Sequence, residues 1–144
     1  MQIEEAEFRA SSELGAEQHI AASEWVVLKF GGSSVATADN WQIIAGILRN
    51  RLQAGLRPLV VHSAIAGASN ALENILTSAM RGDAQAELTA LQVMHCSLAA
   101  DLGLDGNVLL QELFAEMEQL AAGVQLVREV SPRVHVRMMA LGEL

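Results

Sequence analysis

The chain has a single lysine, one cysteine, two prolines and no tyrosine in 144 residues. Each shortage excludes something. Cys96 has no partner for a disulfide within the chain, so the fold must stand on its apolar core, as in a protein of a reducing compartment such as the cytoplasm. Aromatic residues make up 3% of the chain and the net charge is −8. A nucleic-acid binder would want a basic face and stacking rings, and neither is supplied. Arg49, Arg51 and Arg57 lie close together but read as the solvated end of a helix. The opening Met1-Gln2-Ile3-Glu4-Glu5-Ala6-Glu7 is acidic where a signal or transit peptide would be basic. No apolar run approaches the roughly 20 residues of a membrane helix. These absences predict a soluble cytoplasmic protein with neither nucleic acid nor membrane as partner.

What is present is an apolar content of 51%, enough for one hydrophobic core in a chain of one-domain length. Residues 1–24 carry six acidic groups against Arg9 and no sustained apolar period, which predicts a flexible acidic extension. Trp25 to Phe30 is a nearly continuous apolar run, the pattern of a strand buried on both faces. A glycine turn follows, then a helix capped by Thr37 or Asp39 that carries Trp41, Ile44, Ile47, Leu48 and Leu52 and ends at Gly55. Leu59-Val60-Val61-His62 is a second strand, so the opening reads as one parallel βαβ unit.

The rest reads as helical. Leu72, Ile75, Leu76 and Ala79 form a stripe before Gly82, and Asp83 is placed to cap the next helix. That helix carries Leu88, Leu91, Met94, Cys96, Leu98 and Leu102 and stops at Gly103 or Gly106. Asn107 opens another, expected to end at Gly123, with a short helix over Val124 to Val130. Ser131-Pro132 is a cap followed by proline at the first helical position, so a last helix starts there. Two strands against about five helices fall short of an ordinary sheet. The fold class is α/β with an incomplete sheet, and residues 25–144 are expected to be the first part of a larger α/β domain.

The lone lysine stands in Lys29-Phe30-Gly31-Gly32-Ser33-Ser34-Val35. A strand that empties into a cation, two glycines and two hydroxyls suits a phosphate: glycine N–H groups approach an anion closely, and the ammonium adds a point charge. It is not a Walker loop, in which the lysine follows the glycines. The alternative is a tight turn with a solvated lysine. Ser63-Ala64-Ile65-Ala66-Gly67-Ala68-Ser69-Asn70 ends the neighbouring strand and opens on the same crevice at the strands' C-terminal edge. Two such turns side by side favour the phosphate reading.

The first of these motifs closely resembles the aspartokinase signature Lys-Phe-Gly-Gly-Thr-Ser-Val, with Ser33 in place of threonine. Val60-Val61-His62-Ser63-Ala64-Ile65-Ala66-Gly67-Ala68-Ser69-Asn70 is similar to the family's Val-Val-x-Ser-Ala-x-x-Gly-x-Thr-Asn. His95 with Leu98, and Leu141-Gly142-Glu143-Leu144, resemble two further segments of aspartokinases. Sister kinases differ at the first loop, reading Lys-Tyr-Gly-Gly-Asn in acetylglutamate kinases and Lys-x-Gly-Ser-Ser in glutamate kinases. Trp25, Arg57-Pro58-Leu59 and the Ala-Leu-Gly-Glu-Leu end look most like bifunctional aspartokinase/diaminopimelate decarboxylases.

The resemblance implies the amino-acid-kinase fold and transfer of phosphate from ATP to the side chain of L-aspartate, the entry to lysine, threonine and methionine synthesis. It assigns Lys29, with the Gly31 and Gly32 N–H groups and Ser33, to the phosphates. Ser63 and Ser69 would hold carboxylate or phosphoryl oxygens, and Glu143 the substrate α-ammonium. Mg²⁺ is expected with ATP, although no convincing ligand set is legible. The competing reading is a non-catalytic binding or assembly module that keeps the first half of the fold. Residues 1–144 alone are expected to show no kinase activity and to self-associate or form a homo-oligomer through exposed sheet edges. Other residues read as structural: Ser34 in the turn, His62 as a packed or exposed polar residue, His95 in a helix hydrogen bond, Cys96 in the core, and Met138-Met139 packed against the sheet.

Overall fold

A computed structural model describes residues 24–143. The acidic extension expected over 1–24 lies, apart from Glu24, outside the described residues. Two compact units divide the chain: residues through Lys29 with Ile43–Val61, and Phe30–Gln42 with His62–Leu144.

Strands β1 (Trp25–Phe30) and β2 (Arg57–His62), each in the first unit except for its last residue, form a two-stranded sheet. The Arg57 N–H donates to the Glu24 carbonyl (2.6 Å) and the Ser63 N–H to the Phe30 carbonyl (3.2 Å). Both residue numbers rise together, which is parallel pairing. The Arg57 guanidinium also meets the Glu24 carboxylate at 3.4 Å and stands 5.9 Å from the Trp25 ring centre. The expectation of burial on both faces fails. Trp25 and Val27 are 59% and 64% exposed, and Leu59 and Val61 are exposed too. A strand needs a layer on each side to be buried twice, and this face stays largely exposed.

Helix α1 (Ala38–Gln53) crosses from the second unit into the first. Of its two candidate caps Thr37 does the work: its hydroxyl accepts from the Asn40 N–H (3.3 Å) and its carbonyl from the Trp41 N–H (3.2 Å). Asp39 sits in the first turn, where a carboxylate complements the helix dipole. Gly55, at φ +78°, takes the left-handed turn that follows the helix.

The second unit is a helical bundle of α2 (Ala68–Arg81), α3 (Gln85–Asp101), α4 (Gly106–Val127) and α5 (Pro132–Leu141). Helix α2 is central and packs on the other three. Its stripe of Leu72, Ile75, Leu76 and Ala79 is buried with Leu88 and Leu91 of α3, Phe114, Met117, Ala121 and Val124 of α4, and Met138 and Leu141 of α5. Met138 is buried in this helical core and Met139 packs against it.

Three helix-end expectations are corrected. Asp83 is not a side-chain cap: its N–H donates to the Ser78 carbonyl while the left-handed Gly82 donates to Ala79 and Ser78, a Schellman closure of α2. Those two residues are consumed in ending one helix, and the next begins at Gln85. Asp105 caps α4, its carboxylate accepting from the Asn107 and Val108 N–H groups. Helix α4 does not stop at Gly123 but runs to Val127, so no separate helix spans Val124 to Val130. Ala121 and Val124, 2% and 1% exposed, lie on one buried face across the glycine, and their burial outweighs a glycine cost of about 1 kcal/mol. A Cβ on Gly123 would meet nothing within 4 Å. Gly123→Ala is therefore expected to stabilise the chain by about 0.5–1 kcal/mol in urea unfolding, and a loss would contradict this.

Ser131 caps α5 as expected, accepting from the Val134 N–H, with Pro132 in the first turn. Two side-chain contacts tie α5 to its neighbours: a hydrogen bond between His135 Nε2 and Glu73 at 2.7 Å, and an ion pair from Arg137 to both oxygens of Glu116 at 2.5 and 2.6 Å. Arg137 holds the Glu116 carboxyl below the ordinary carboxylate range, chiefly through that hydrogen bond. A depressed folded-state pKa gives stability that is present above the unfolded value, near 4.5, and lost as pH falls through the folded one. Glu116→Gln should thus flatten the acid side of a Tm-versus-pH profile; an unchanged profile would show the pair to be idle. The effect is small, because the pair is solvent-exposed.

Candidate functional site

The Gly31–Val35 segment folds as a helical turn over Gly32–Val35, with the Ser34 N–H donating to the Gly31 carbonyl at 2.9 Å. The opening N–H groups of such a turn have no partner inside it. Two side chains from the first turn of α1 hold it in place. Asn40 Nδ2 donates to the Ser33 carbonyl at 2.9 Å, and Trp41 Nε1 to the Val35 carbonyl at 3.0 Å.

The Ser63–Gly67 turn lies directly against it. The Ala66 N–H donates to the Gly32 carbonyl at 3.2 Å. A Cβ on Gly32 would sit 2.7 Å from the Ala64 carbonyl oxygen and 3.2 Å from the Ala66 nitrogen. Only a glycine allows the two backbones to come so close. Gly67, at φ +91°, then turns the chain into α2, and Ser69 occupies that helix's exposed first turn. The Ser63 and Ser69 hydroxyls take no hydrogen-bond partner among the described residues.

Glu143 comes to this turn from the far end of the chain. Its Oε2 accepts from the Ala64 N–H at 3.1 Å, across 79 residues of sequence. Ser63, Ala64 and Glu143 share the lining of a cavity of about 410 Å³ whose walls are otherwise largely leucine, such as Leu72, Leu91 and Leu113. The polar side chains of the lining are those of Trp41, His62, Ser63, His95 and Glu143.

Lys29 is the penultimate residue of β1, exposed, and its ammonium has no partner among the described residues. His62 Nδ1 stands 3.2 Å from the Ser63 carbonyl, and its ring is edge-on to Trp41 at 6.1 Å. His95 Nδ1 pairs with the Leu91 carbonyl at 2.9 Å and its ring meets Phe114 edge-on. Cys96 is half-buried, its Sγ 3.6 Å from Asn107 Oδ1. Among the described residues no group of three or more His, Cys, Asp or Glu could hold a metal ion, so these side chains do not fit Mg²⁺ by themselves. No helix among them is long and apolar enough to cross a membrane.

Sequence reasoning missed Asn40, Trp41 and the Ala64 amide. Trp41 carried a signal, since a half-buried indole N–H needs an acceptor. The Ala64 amide carried none, because a backbone donor is invisible in a side-chain pattern.

Residues 24–136 match the amino acid kinase family. The chain belongs to that family. Within it, the chain is similar to Aspartokinase 1 and Aspartokinase 3 of Arabidopsis thaliana, both chloroplastic, at 29% and 30% identity over 81% of the chain. Among solved structures it resembles E. coli aspartokinase III in complex with aspartate and ADP, with a TM-score of 0.60 and 29% identity over 81% of the chain. The complex of the same enzyme with lysine and aspartate gives a TM-score of 0.59. The chain spans 21% of each of the two curated relatives and 25% of the aspartate–ADP structure.

Proposed function

We propose that residues 25–144 form the N-terminal part of an aspartate kinase domain and supply its phosphate turn and amino-acid wall. The observation that carries this reading is the Glu143–Ala64 hydrogen bond. It brings the Glu143 carboxylate onto the hydroxyl-bearing turn after β2, which itself abuts the glycine turn. The E. coli relative held with aspartate and ADP supports the choice of substrates.

The reaction would be attack of the aspartate side-chain oxygen on the γ-phosphorus of ATP. A new O–P bond forms, the bond to ADP breaks, and 4-phospho-L-aspartate leaves. An aspartate side chain, with a reference pKa of about 3.9, is already ionised at neutral pH and needs no general base. The site must instead align two anions and stabilise charge on the transferring group. Lys29, two residues before Gly31 in the chain, is assigned to that charge, with the Gly31 and Gly32 N–H groups and Ser33 on the phosphates. Ser63 and Ser69 hold carboxylate or phosphoryl oxygens. Glu143 takes the α-ammonium, a charge-assisted contact that separates an amino acid from a plain dicarboxylate. Mg²⁺ would accompany ATP, and no step above is assigned to it. Placement in lysine synthesis, a cytoplasmic site of action and a fused decarboxylase rest on the sequence resemblance alone.

The test is titration of the 1–144 chain with L-aspartate. Binding is expected, and Glu143→Gln should weaken it at least tenfold, in line with loss of about 1.5–3 kcal/mol for a charged hydrogen bond. Absence of binding, or indifference to the substitution, would sink the assignment.

A further inference from the structure

Gly142 separates helix α5 from Glu143, and nothing in its backbone calls for glycine: its φ is −75°. The requirement is one of space. A Cβ at Gly142 would lie 2.5 Å from Leu72 Cδ1 and 3.4 Å from the Met139 carbonyl oxygen. Leu72 is 1% exposed in the core of the bundle, so it has no solvent to swing into. The next residue on α2, Glu73, pairs with His135 of α5 at 2.7 Å, which limits how far α5 can retreat. The Glu143 N–H still donates to the Ala140 carbonyl at 3.1 Å. Glu143 thus leaves the helix from a point fixed by the Gly142–Leu72 contact.

We infer that Gly142 and Leu72 are positioning residues that seat the Glu143 carboxylate on the Ala64 amide, and that this seat sets selectivity for a substrate bearing an α-ammonium group. The second clause rests on the aspartate-kinase reading; the first does not. The chemistry follows from lone-pair count. An ionised carboxylate offers about four acceptor positions. The Ala64 N–H occupies one and fixes the plane of the group, leaving the rest in a set direction for an ammonium. A methyl at Gly142 would push the Glu143 segment away from α2, and the carboxylate would lose its anchor before it lost its charge. Ala64 would feel this from both sides, because its carbonyl is the atom packed against Gly32.

The experiment is hydrogen exchange at the Ala64 amide, resolved by mass spectrometry with electron-transfer fragmentation, alongside titration with L-aspartate and with succinate, which lacks the ammonium. In Gly142→Ala the Ala64 amide should exchange at least tenfold faster while the α2 core amides stay within about twofold. Preference for aspartate over succinate should fall by a similar factor. Leu72→Val removes the Cδ atoms, so the double variant Leu72→Val/Gly142→Ala should restore both readouts. Glu143→Gln should lose the preference even with Gly142 intact. Unchanged Ala64 exchange in Gly142→Ala would overturn the inference, as would a double variant that restores neither readout. If Gly142→Ala alone unfolds, the double variant carries the test: wild-type Ala64 exchange supports the steric seat, and fast exchange refutes it. A wild-type chain with a protected Ala64 amide that binds no aspartate would refute the aspartate-kinase reading and the selectivity clause, leaving the seat itself standing.

Discussion

Lys29→Ala is expected to abolish phosphoryl transfer in a longer chain that joins this segment to a nucleotide-binding half, while leaving folding intact. Lys29 is exposed on β1 and its ammonium has no partner among the described residues, so its loss removes no contact that stabilises the fold. Exposed substitutions of this kind fall within about 0.5 kcal/mol. The effect on turnover has a different origin. The transferring phosphoryl group spreads negative charge over its equatorial oxygens, and a preorganised donor at such a site is worth on the order of 10²–10³ in rate. The chain has no second lysine to take over. Hydroxylamine trapping of the acyl phosphate, with circular dichroism to check the fold, gives both readouts. Turnover near the wild-type rate would remove Lys29 from the mechanism. Lys29→Arg should recover only part of the activity, because a planar guanidinium does not reproduce a compact ammonium.

Gly32→Ala is the second large effect, and it should strike folding and the site together. The atoms a methyl would meet are the Ala64 carbonyl oxygen, at 2.7 Å, and the Ala66 nitrogen and Cα, at 3.2 and 3.4 Å. All are backbone, so no rotamer change relieves them. The two turns must part, and the hydrogen bond from the Ala66 N–H to the Gly32 carbonyl goes with the separation. Overpacking of this kind costs about 1–3 kcal/mol, visible as a lower urea midpoint. Aspartate affinity should fall too, because Ser63 and the Ala64 amide belong to the displaced turn. A midpoint and affinity equal to wild type would mean that the turns are looser than their contact implies.

How much of this was legible beforehand varies by position. The α2 stripe of Leu72, Ile75, Leu76 and Ala79 was readable because helical periodicity and burial coincide there. Ser131-Pro132 was readable because a cap and a following proline act within one turn. Asp83 was misread because its side chain suited a cap, while its N–H was already committed to closing α2. Gly123 was misread because a local helix breaker was outweighed by the burial of Ala121 and Val124 on either side. The apolar β1 run read as buried twice, yet its Trp25 and Val27 face is open. Hydrophobicity shows what a face would favour, and only the neighbouring elements show whether it is met.

The sequence by itself determined the local chemistry: the lone lysine before two glycines, the hydroxyl turn after the second strand, and the family to which those motifs belong. Tertiary structure alone decided that the Ala64 amide anchors Glu143, that Asn40 and Trp41 hold the glycine turn, and that Gly32 and Gly142 are needed for space. The physical reason is range. Turn geometry and helix propensity act between residues a few positions apart, whereas a contact across 79 residues exists only once packing has fixed both of its ends.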